Sequence, residues 1–149
     1  KRDIDNGFKN FDIFYQPQIK SKTQEIEGVE ALLRWSCEEY GCISPMEFIP
    51  ILEENNLMVN VGKWVLKQSL ETYKREWSSY VSDLSISVNV SFVQFIDKNF
   101  VEDVKKILEE SGVNPKNLVL ELTESCMVSN INYIKKPLFC TFLYKFAYI

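Results

Sequence analysis

The sequence predicts an α/β domain in which mostly parallel strands alternate with helices. Short segments rich in β-branched and aromatic residues alternate with amphipathic helical segments, the pattern that βα crossovers produce. No repeat, low-complexity tract or Gly/Ser linker interrupts residues 1–130, which we take as one unit followed by a divergent apolar tail at 131–149. The composition, 46% hydrophobic and 26% charged, is that of a globular domain. An open doubly wound sheet and a barrel both fit this pattern.

The first two strands are predicted at residues 11–19 (FDIFYQPQI) and 25–35 (EIEGVEALLRW), with Gly28 as a bulge. A helix is predicted to begin at Pro45. Ser44 precedes it as the N-cap and Glu47 occupies its third position, the arrangement typical of a helix start.

The rest of the chain continues the alternation. We predict a helix over 61–77, a strand over 84–91 (LSISVNVS), a helix over 100–111, a strand over 118–125 (LVLELTES) and a short helix near 129–136. Val101, Val104, Ile107 and Leu108 share one face of the 100–111 helix, and Gly112 is expected to end it.

The charge pattern narrows the class of partner. The chain has 17 basic and 21 acidic residues, a formal net charge of -4, and no basic stripe. Because phosphate contacts dominate binding to nucleic-acid polymers, we expect no polymeric nucleic acid as partner. A small phosphate ligand remains compatible, provided that a metal or a few local cations neutralise it.

The cysteines and the hydropathy pattern indicate a cytoplasmic location. Cys37, Cys42, Cys126 and Cys140 form no CxxC pair and the chain has no histidine, so we expect buried free thiols in a reducing compartment. The alternative is a structural zinc site with all-cysteine or carboxylate ligands. No apolar run approaches the roughly 20 residues of a membrane span, so we expect no membrane segment in this chain.

Polar residues inside the predicted strands are the most informative feature. Side chains alternate along a strand, so Asn89 lies opposite the apolar face of 84–91 and Glu121 opposite the leucines of 118–125. Glu30 lies on the same face of its strand as Leu32 and Arg34. A strand that is covered on both faces should consist almost entirely of apolar residues. The three strands that carry Glu30, Asn89 and Glu121 do not.

Glu30, Asn89 and Glu121 all offer hard oxygen ligands, which suit Mg²⁺ or Mn²⁺. For each residue alone, solvation at a strand end or pairing with a nearby Lys or Arg is the alternative. Three such residues on neighbouring strands favour a shared site.

Several long motifs then resemble the EAL-domain phosphodiesterases, which hydrolyse the bacterial second messenger cyclic di-GMP. They occur in the order of the family: YQPQI, EALLRW, GCISPMEFIPILEENNLM, VGKWVL, SVNVSFVQF and LVLELTES. The resemblance implies that Glu30, Asn89 and Glu121 are metal ligands, and that Glu124 is a second catalytic carboxylate beside Glu30. It further implies that Gln16, Leu32 and Arg34 contact the nucleotide. The implied reaction is metal-assisted attack of water that opens the ring to linear pGpG.

The resemblance also implies a TIM-barrel-like fold, which typically needs eight strands and about 250 residues. After LVLELTES the family continues with an Asp-Asp-Phe-Gly loop, a lysine, a second Glu-containing segment and a late glutamine, and none of these later motifs follows LVLELTES in the sequence. We therefore expect a truncated, partial barrel with an open apolar inner face and open edges, inactive by itself and self-associating through those edges.

Three functions stay open on these grounds: a metal-dependent phosphodiesterase domain, a catalytically silent cyclic-di-GMP-sensing or protein-interaction module, and a gene remnant that folds without function. The tail from 137 onward also has more than one interpretation. It is expected to be out-of-frame sequence or an ordinary buried strand, and the alternative is a surrogate strand that covers the open edge or a dimer interface.

Overall fold

The computed structural model describes residues 1–79 and 83–122 with their side chains, and the backbone of residues 146–148. The predicted α/β class is confirmed. In chain order the elements are α1 (Arg2–Asp5), β1 (Phe11–Ile19), β2 (Ile26–Cys37), β3 (Gly41–Ile43), α2 (Pro45–Glu54), α3 (Met58–Glu76), β4 (Ser85–Asn89), α4 (Phe92–Phe95), α5 (Phe100–Ser111), β5 (Leu118–Leu122) and β6 (Phe146–Tyr148). The predicted helix near 129–136 and the cysteines Cys126 and Cys140 lie outside the described residues.

The described strands form one sheet in the order β1-β2-β4-β5-β6, with β3 paired to β2. β2, β4, β5 and β6 are parallel neighbours, as the crossover pattern predicted. The strict alternation of strands and helices was wrong at the start of the chain. There β1 and β2 pair antiparallel as a hairpin, and two helices in succession then connect β2 to β4. The loop after β1 is too short for the crossover that parallel pairing needs.

The hairpin carries a bulge one residue from its predicted position. Gln18 pairs with Gly28 and Ile19 pairs with Ile26, which leaves Glu27 as the extra residue. Gly28 has a separate reason to be glycine, because a Cβ there would overlap Oγ of Ser85 and the side chain of Gln18. The glycine therefore lets β1 and β4 approach β2 closely on either side.

Helix starts and stops follow the sequence signals. Oγ of Ser44 accepts a hydrogen bond from N of Met46, at 3.3 Å, and Pro45 opens α2. Gly112 adopts the left-handed conformation at φ 63° that ends α5. These local signals decide where α2 and α5 lie relative to the sheet.

The core lies between one face of the sheet and the helices. Buried residues on that face, including Ile86, Val88 and Leu120, pack against residues of the helices such as Phe48 and Leu70. Each fully buried side chain of this kind contributes roughly 1.5–3 kcal/mol to folding. The opposite face of the sheet is not the open apolar surface that we expected. It carries the polar side chains of Glu30, Arg34, Ser87, Asn89 and Glu121 on the central strands, with Leu32 and Val119 between them.

Candidate functional site

The polar face is built by the register of four strands. Gln16 of β1 lies directly opposite Glu30 of β2, and Glu30 is in turn aligned with Ser87 of β4. Asn89 lies two residues beyond Ser87, on the same face, and is aligned with Glu121 of β5. The structure therefore brings the three sequence-predicted ligands onto one face of the sheet, with Asn89 and Glu121 at the carboxyl ends of β4 and β5.

Asn89 occupies the centre of this group. Its Nδ2 atom donates a hydrogen bond to Oε1 of Glu30 at 2.8 Å, and its backbone is aligned with Glu121. Asn89 is exposed and Glu30 half-buried. The amide thus bonds to the carboxylate of one flanking strand and lies in register with Glu121 of the other.

Glu121 is the buried member of the group. Only 4% of it is exposed, and its Oε2 atom has no hydrogen-bond partner in the described part of the chain. A buried carboxylate oxygen without a partner is costly, and a cation is one group that removes the cost.

A divalent cation fits this donor set. Two carboxylates and one amide offer hard oxygen atoms, and Glu121 has one left unsatisfied. To bind a cation, Asn89 would present Oδ1 rather than Nδ2, so the hydrogen bond to Glu30 would give way to coordination. Within residues 1–79 and 83–122, no three His, Cys, Asp or Glu side chains form a cluster of metal-binding geometry. A cation at this position would therefore depend on the Asn89 amide as its third oxygen ligand among the described residues.

Arg34 lies toward the carboxyl end of β2, two residues past Leu32. Its Nη1 atom donates to the carbonyl oxygen of Leu33 at 2.9 Å, and its guanidinium carbon lies 5.6 Å from the centroid of the Phe14 ring. Arg34 makes no ion pair with any described residue. Four of its five N–H groups therefore remain available to a ligand within this part of the structure.

A groove of about 360 Å³ runs beside this end of β2. Leu32 and Arg34 form part of one wall, α2 and α3 form another, and Asn89 lies at its end. The remaining lining residues are mainly apolar: Ala31, Leu33, Pro45, Ile49, Glu53, Met58, Gly62, Val65, Val90 and Ser91. An apolar cleft with a few polar groups is typical of a small-molecule site.

Beside the groove, two residues separate the end of β4 from the start of α4, and a capping box fixes this start. Oγ of Ser91 accepts from N of Gln94 at 3.4 Å, and Oε1 of Gln94 accepts from N of Ser91 at 3.2 Å. The buried Gln94 side chain packs directly against Gly62 of α3, where a Cβ would overlap its amide. This contact holds the segment that follows Asn89.

Sequence reasoning missed two residues of this region. Phe14 lies under Arg34, and Gly62 accommodates Gln94. The alternation that identified Glu30 also places Phe14 on the polar face, and a glycine in the middle of α3 was a signal of close packing. Of the predicted residues, Gln16 is exposed beside Glu30, whereas Glu124 lies outside the described residues.

The two described cysteines are free thiols, but neither is buried as we expected. Cys37 is half-buried, and Cys42 is exposed. It lies on β3, a three-residue strand that pairs with the end of β2 at the margin of the sheet. No helix in the described ranges has both the length and the apolar character required to cross a bilayer.

Comparison with known proteins matches this architecture to one family. The family model "EAL domain" matches residues 1–141. The chain is 35% identical over 113 residues to the bifunctional diguanylate cyclase/cyclic di-GMP phosphodiesterase MucR of Pseudomonas aeruginosa, covering 76% of this chain and 16% of MucR. It is 35% identical over 118 residues to the cyclic di-GMP phosphodiesterase PdeR of Escherichia coli, covering 79% of this chain and 18% of PdeR.

Solved structures agree. A MucR phosphodiesterase in complex with c-di-GMP has a TM-score of 0.81 at 30% identity, covering 89% of this chain and 54% of that one. The EAL enzyme Bd1971 in its cGMP-bound form has a TM-score of 0.82 at 30% identity, covering 99% of this chain and 42% of that one. The chain therefore spans about half of the solved domains and less than a fifth of these curated relatives. Its motifs, its sheet and these matches agree, and the chain belongs to the EAL domain family.

Proposed function

We propose that this chain binds cyclic di-GMP on its polar sheet face, as part of the site of a cyclic-di-GMP phosphodiesterase. The observation that carries the proposal is the central position of Asn89. It is hydrogen-bonded to Glu30 and aligned with the buried, unsatisfied Glu121. Relatives named for cyclic di-GMP hydrolysis, and a similar structure in complex with that nucleotide, support the choice of ligand.

In this proposal Glu30, Asn89 and Glu121 hold Mg²⁺ or Mn²⁺. Such a cation lowers the pKa of a bound water and stabilises charge that develops on the phosphate. Glu30 and Glu121 supply the negative charge that retains it, and Asn89 supplies a neutral oxygen between them. Glu124, three residues past Glu121, is proposed as the second catalytic carboxylate beside Glu30.

The nucleotide is proposed to lie across Gln16, Leu32 and Arg34. The guanidinium of Arg34 matches a phosphodiester, since its in-plane N–H groups form paired hydrogen bonds to two oxygen atoms. Leu32 gives an apolar contact at the mouth of the groove, and the exposed amide of Gln16 is free to bond to a base or ribose. The separation of Arg34 from Glu30, about 13 Å along an extended strand, assigns them to different parts of the ligand.

For the 149-residue chain alone we propose binding without efficient turnover. Three protein oxygens hold a divalent cation weakly compared with the six or more ligands that such ions prefer. A catalytically silent sensing or interaction module is therefore the second candidate function. The nucleotide as ligand also implies a cytoplasmic location, where this bacterial second messenger acts.

We also propose that the chain self-associates through the edge of its sheet. β1 forms one edge of the described sheet, and Phe14 and Ile19 on it are 58% and 53% exposed. Exposed strand edges are templates for pairing with another chain. Light scattering after size-exclusion chromatography tests this, and a stable monomer at micromolar concentration contradicts it.

Two measurements on the purified chain test the main proposal. Calorimetric titration with cyclic di-GMP, in Mn²⁺ and separately in EDTA, measures binding, and chromatography of the same Mn²⁺ sample measures pGpG. Binding without pGpG supports the silent module, and binding with pGpG supports the enzyme. The absence of binding in both buffers overturns the proposal.

A further inference from the structure

Phe14 is an exposed aromatic residue on the same sheet face as the candidate site. It lies opposite Leu32 in the β1–β2 register, so Arg34 is its diagonal neighbour. The Arg34 guanidinium carbon is 5.6 Å from the centre of the Phe14 ring, within the range of a cation–π contact. Such diagonal pairs are within reach of long and aromatic side chains.

Arg34 has a second neighbour, of opposite charge, that it does not bind. Asp12 lies directly opposite Arg34 in the register, which is closer than the diagonal position. Yet Oδ1 of Asp12 accepts a hydrogen bond from N of Ile13 at 2.8 Å, and no ion pair joins Asp12 to Arg34. Asp12 is exposed, so an ion pair with it would gain little and would be screened by salt.

We propose that Phe14 is a positioning residue: its ring holds the Arg34 guanidinium away from Asp12 and directed toward the nucleotide phosphate. This inference rests on the proposed function and adds a residue to it. If Arg34 turned to Asp12, the carboxylate would occupy its N–H groups and neutralise the charge that a phosphate needs.

The chemistry of the two contacts is compatible. An aromatic ring contacts the flat face of a guanidinium, whereas a phosphate oxygen binds the N–H groups in its plane. Arg34 therefore keeps its contact with Phe14 while it binds a phosphodiester. Arginine is better suited to this double role than lysine, whose compact charge has no second face.

Three variants of the full chain test the inference by calorimetric titration with cyclic di-GMP in EDTA. Phe14→Leu keeps an apolar side chain but removes the ring, and is expected to weaken binding by roughly three- to tenfold. Phe14→Trp keeps an aromatic face and is expected to bind as the unsubstituted chain does. Adding Asp12→Asn to Phe14→Leu removes the competing charge and is expected to restore most of the lost affinity for cyclic di-GMP.

A second readout does not depend on the nucleotide. The Nε–H resonance of Arg34 should move in Phe14→Leu, because it loses the ring current, and should stay nearly in place in Phe14→Trp. Tyr40→Leu is the matched control, since Tyr40 is 73% exposed in the turn between β2 and β3. It should change neither binding nor that resonance.

The outcomes separate this inference from the proposed function. If the unsubstituted chain binds cyclic di-GMP and Phe14→Leu binds it equally well, the positioning role is wrong and the proposed ligand stands. If Asp12→Asn fails to restore binding, competition by Asp12 is wrong. If the unsubstituted chain does not bind the nucleotide, the proposed function fails and this inference fails with it.

Discussion

The Nδ2 atom of Asn89 lies 2.8 Å from Oε1 of Glu30, which joins two parallel strands through side chains that are 59 residues apart in the chain. The hydrogen bond fixes Glu30 and Asn89 relative to each other in the candidate site. Glu30 has a neutral donor as its partner, whereas one buried oxygen of Glu121, on the other side of Asn89, has no partner among residues 1–79 and 83–122. The site thus combines a satisfied carboxylate with an unsatisfied one.

Glu121→Gln is expected to change metal binding and stability in opposite directions. Mn²⁺ affinity should fall by about 100-fold or more, since even indirect partners of a metal site contribute 10- to 100-fold. Without metal, the free energy of unfolding of the variant should be higher by about 1 kcal/mol, because a neutral amide costs less to bury than a carboxylate. The variant should therefore unfold at a higher urea concentration.

Glu27→Gln is the matched control for Glu121→Gln. Glu27 lies on β2 but is exposed, so its replacement should alter neither property by much. Loss of stability in metal-free Glu121→Gln would contradict the account of an unsatisfied buried carboxylate.

Arg34→Lys is expected to weaken cyclic di-GMP binding although it keeps the charge. The loss of paired N–H bonds and of the stacked face should cost about tenfold in affinity, while Mn²⁺ affinity stays the same. Calorimetry with each ligand separately checks the prediction. Arg75→Lys, at an exposed pair with Glu76, is the control. Equal loss of metal and nucleotide binding in Arg34→Lys would indicate general unfolding instead.

Gly62→Ala is expected to destabilise the chain by about 1–3 kcal/mol, measured by urea unfolding. In an unrestricted helix the same change stabilises by up to about 1 kcal/mol. Here the new Cβ would overlap the amide of Gln94, a buried side chain that caps α4.

The second substitution Gln94→Ala tests the cause of that loss. It should make Gly62→Ala much less harmful, because the overlapping atoms are gone. If the two substitutions simply add, the contact between Gly62 and Gln94 is not the reason.

Stability is expected to fall as the pH rises above 10. Burial raises the pKa of Tyr73 above its ordinary value of 10.0, and the nearby charge of Asp83 raises it further. The folded chain therefore holds the phenol proton more tightly than the unfolded chain. The stability that this difference contributes is fully present below pH 10 and is lost as the pH rises through the pKa of Tyr73 in the folded chain. Burial also raises the pKa of Tyr15.

Tyr73→Phe should make the loss of stability at alkaline pH smaller. At neutral pH it should cost about 1 kcal/mol, because the Tyr73 hydroxyl donates to the carbonyl oxygen of Leu84 at 2.8 Å. Urea unfolding at pH 7 and at pH 10.5 checks both parts. An unchanged alkaline loss in the double variant with Tyr15→Phe would contradict the assignment to these two groups.

Much of the site could be predicted because strand geometry has a period of two. That rule alone put Asn89 and Glu121 on one face, and the parallel order of β4 and β5 then aligned them. It could not give the register between strands, on which the Asn89 to Glu30 hydrogen bond depends. The β1–β2 register contains a bulge at Glu27, and the β2–β4 register depends on how the connecting helices pack, neither of which follows from a period of two.

The starting hairpin was missed for a different reason. The alternation of strands and helices predicted a mostly parallel sheet without giving a direction to β1, although residues 20–25 leave no room for a crossover and favour a hairpin. The pairing of Phe14 with Arg34 was missed as a consequence, since it requires an antiparallel β1 beside β2.

The antiparallel β1–β2 hairpin also indicates which part of the sheet forms first during folding. Its contacts join residues near each other in the chain, whereas the contact of Ser85 Oγ with the carbonyl oxygen of Glu27 closes 58 residues. We therefore expect Gln16, Phe14 and Arg34 to assemble in the chain before Asn89 and Glu121 join them. A cation bound by Glu30 together with the late-joining Asn89 and Glu121 would then act mainly by slowing unfolding, with little effect on the rate of folding.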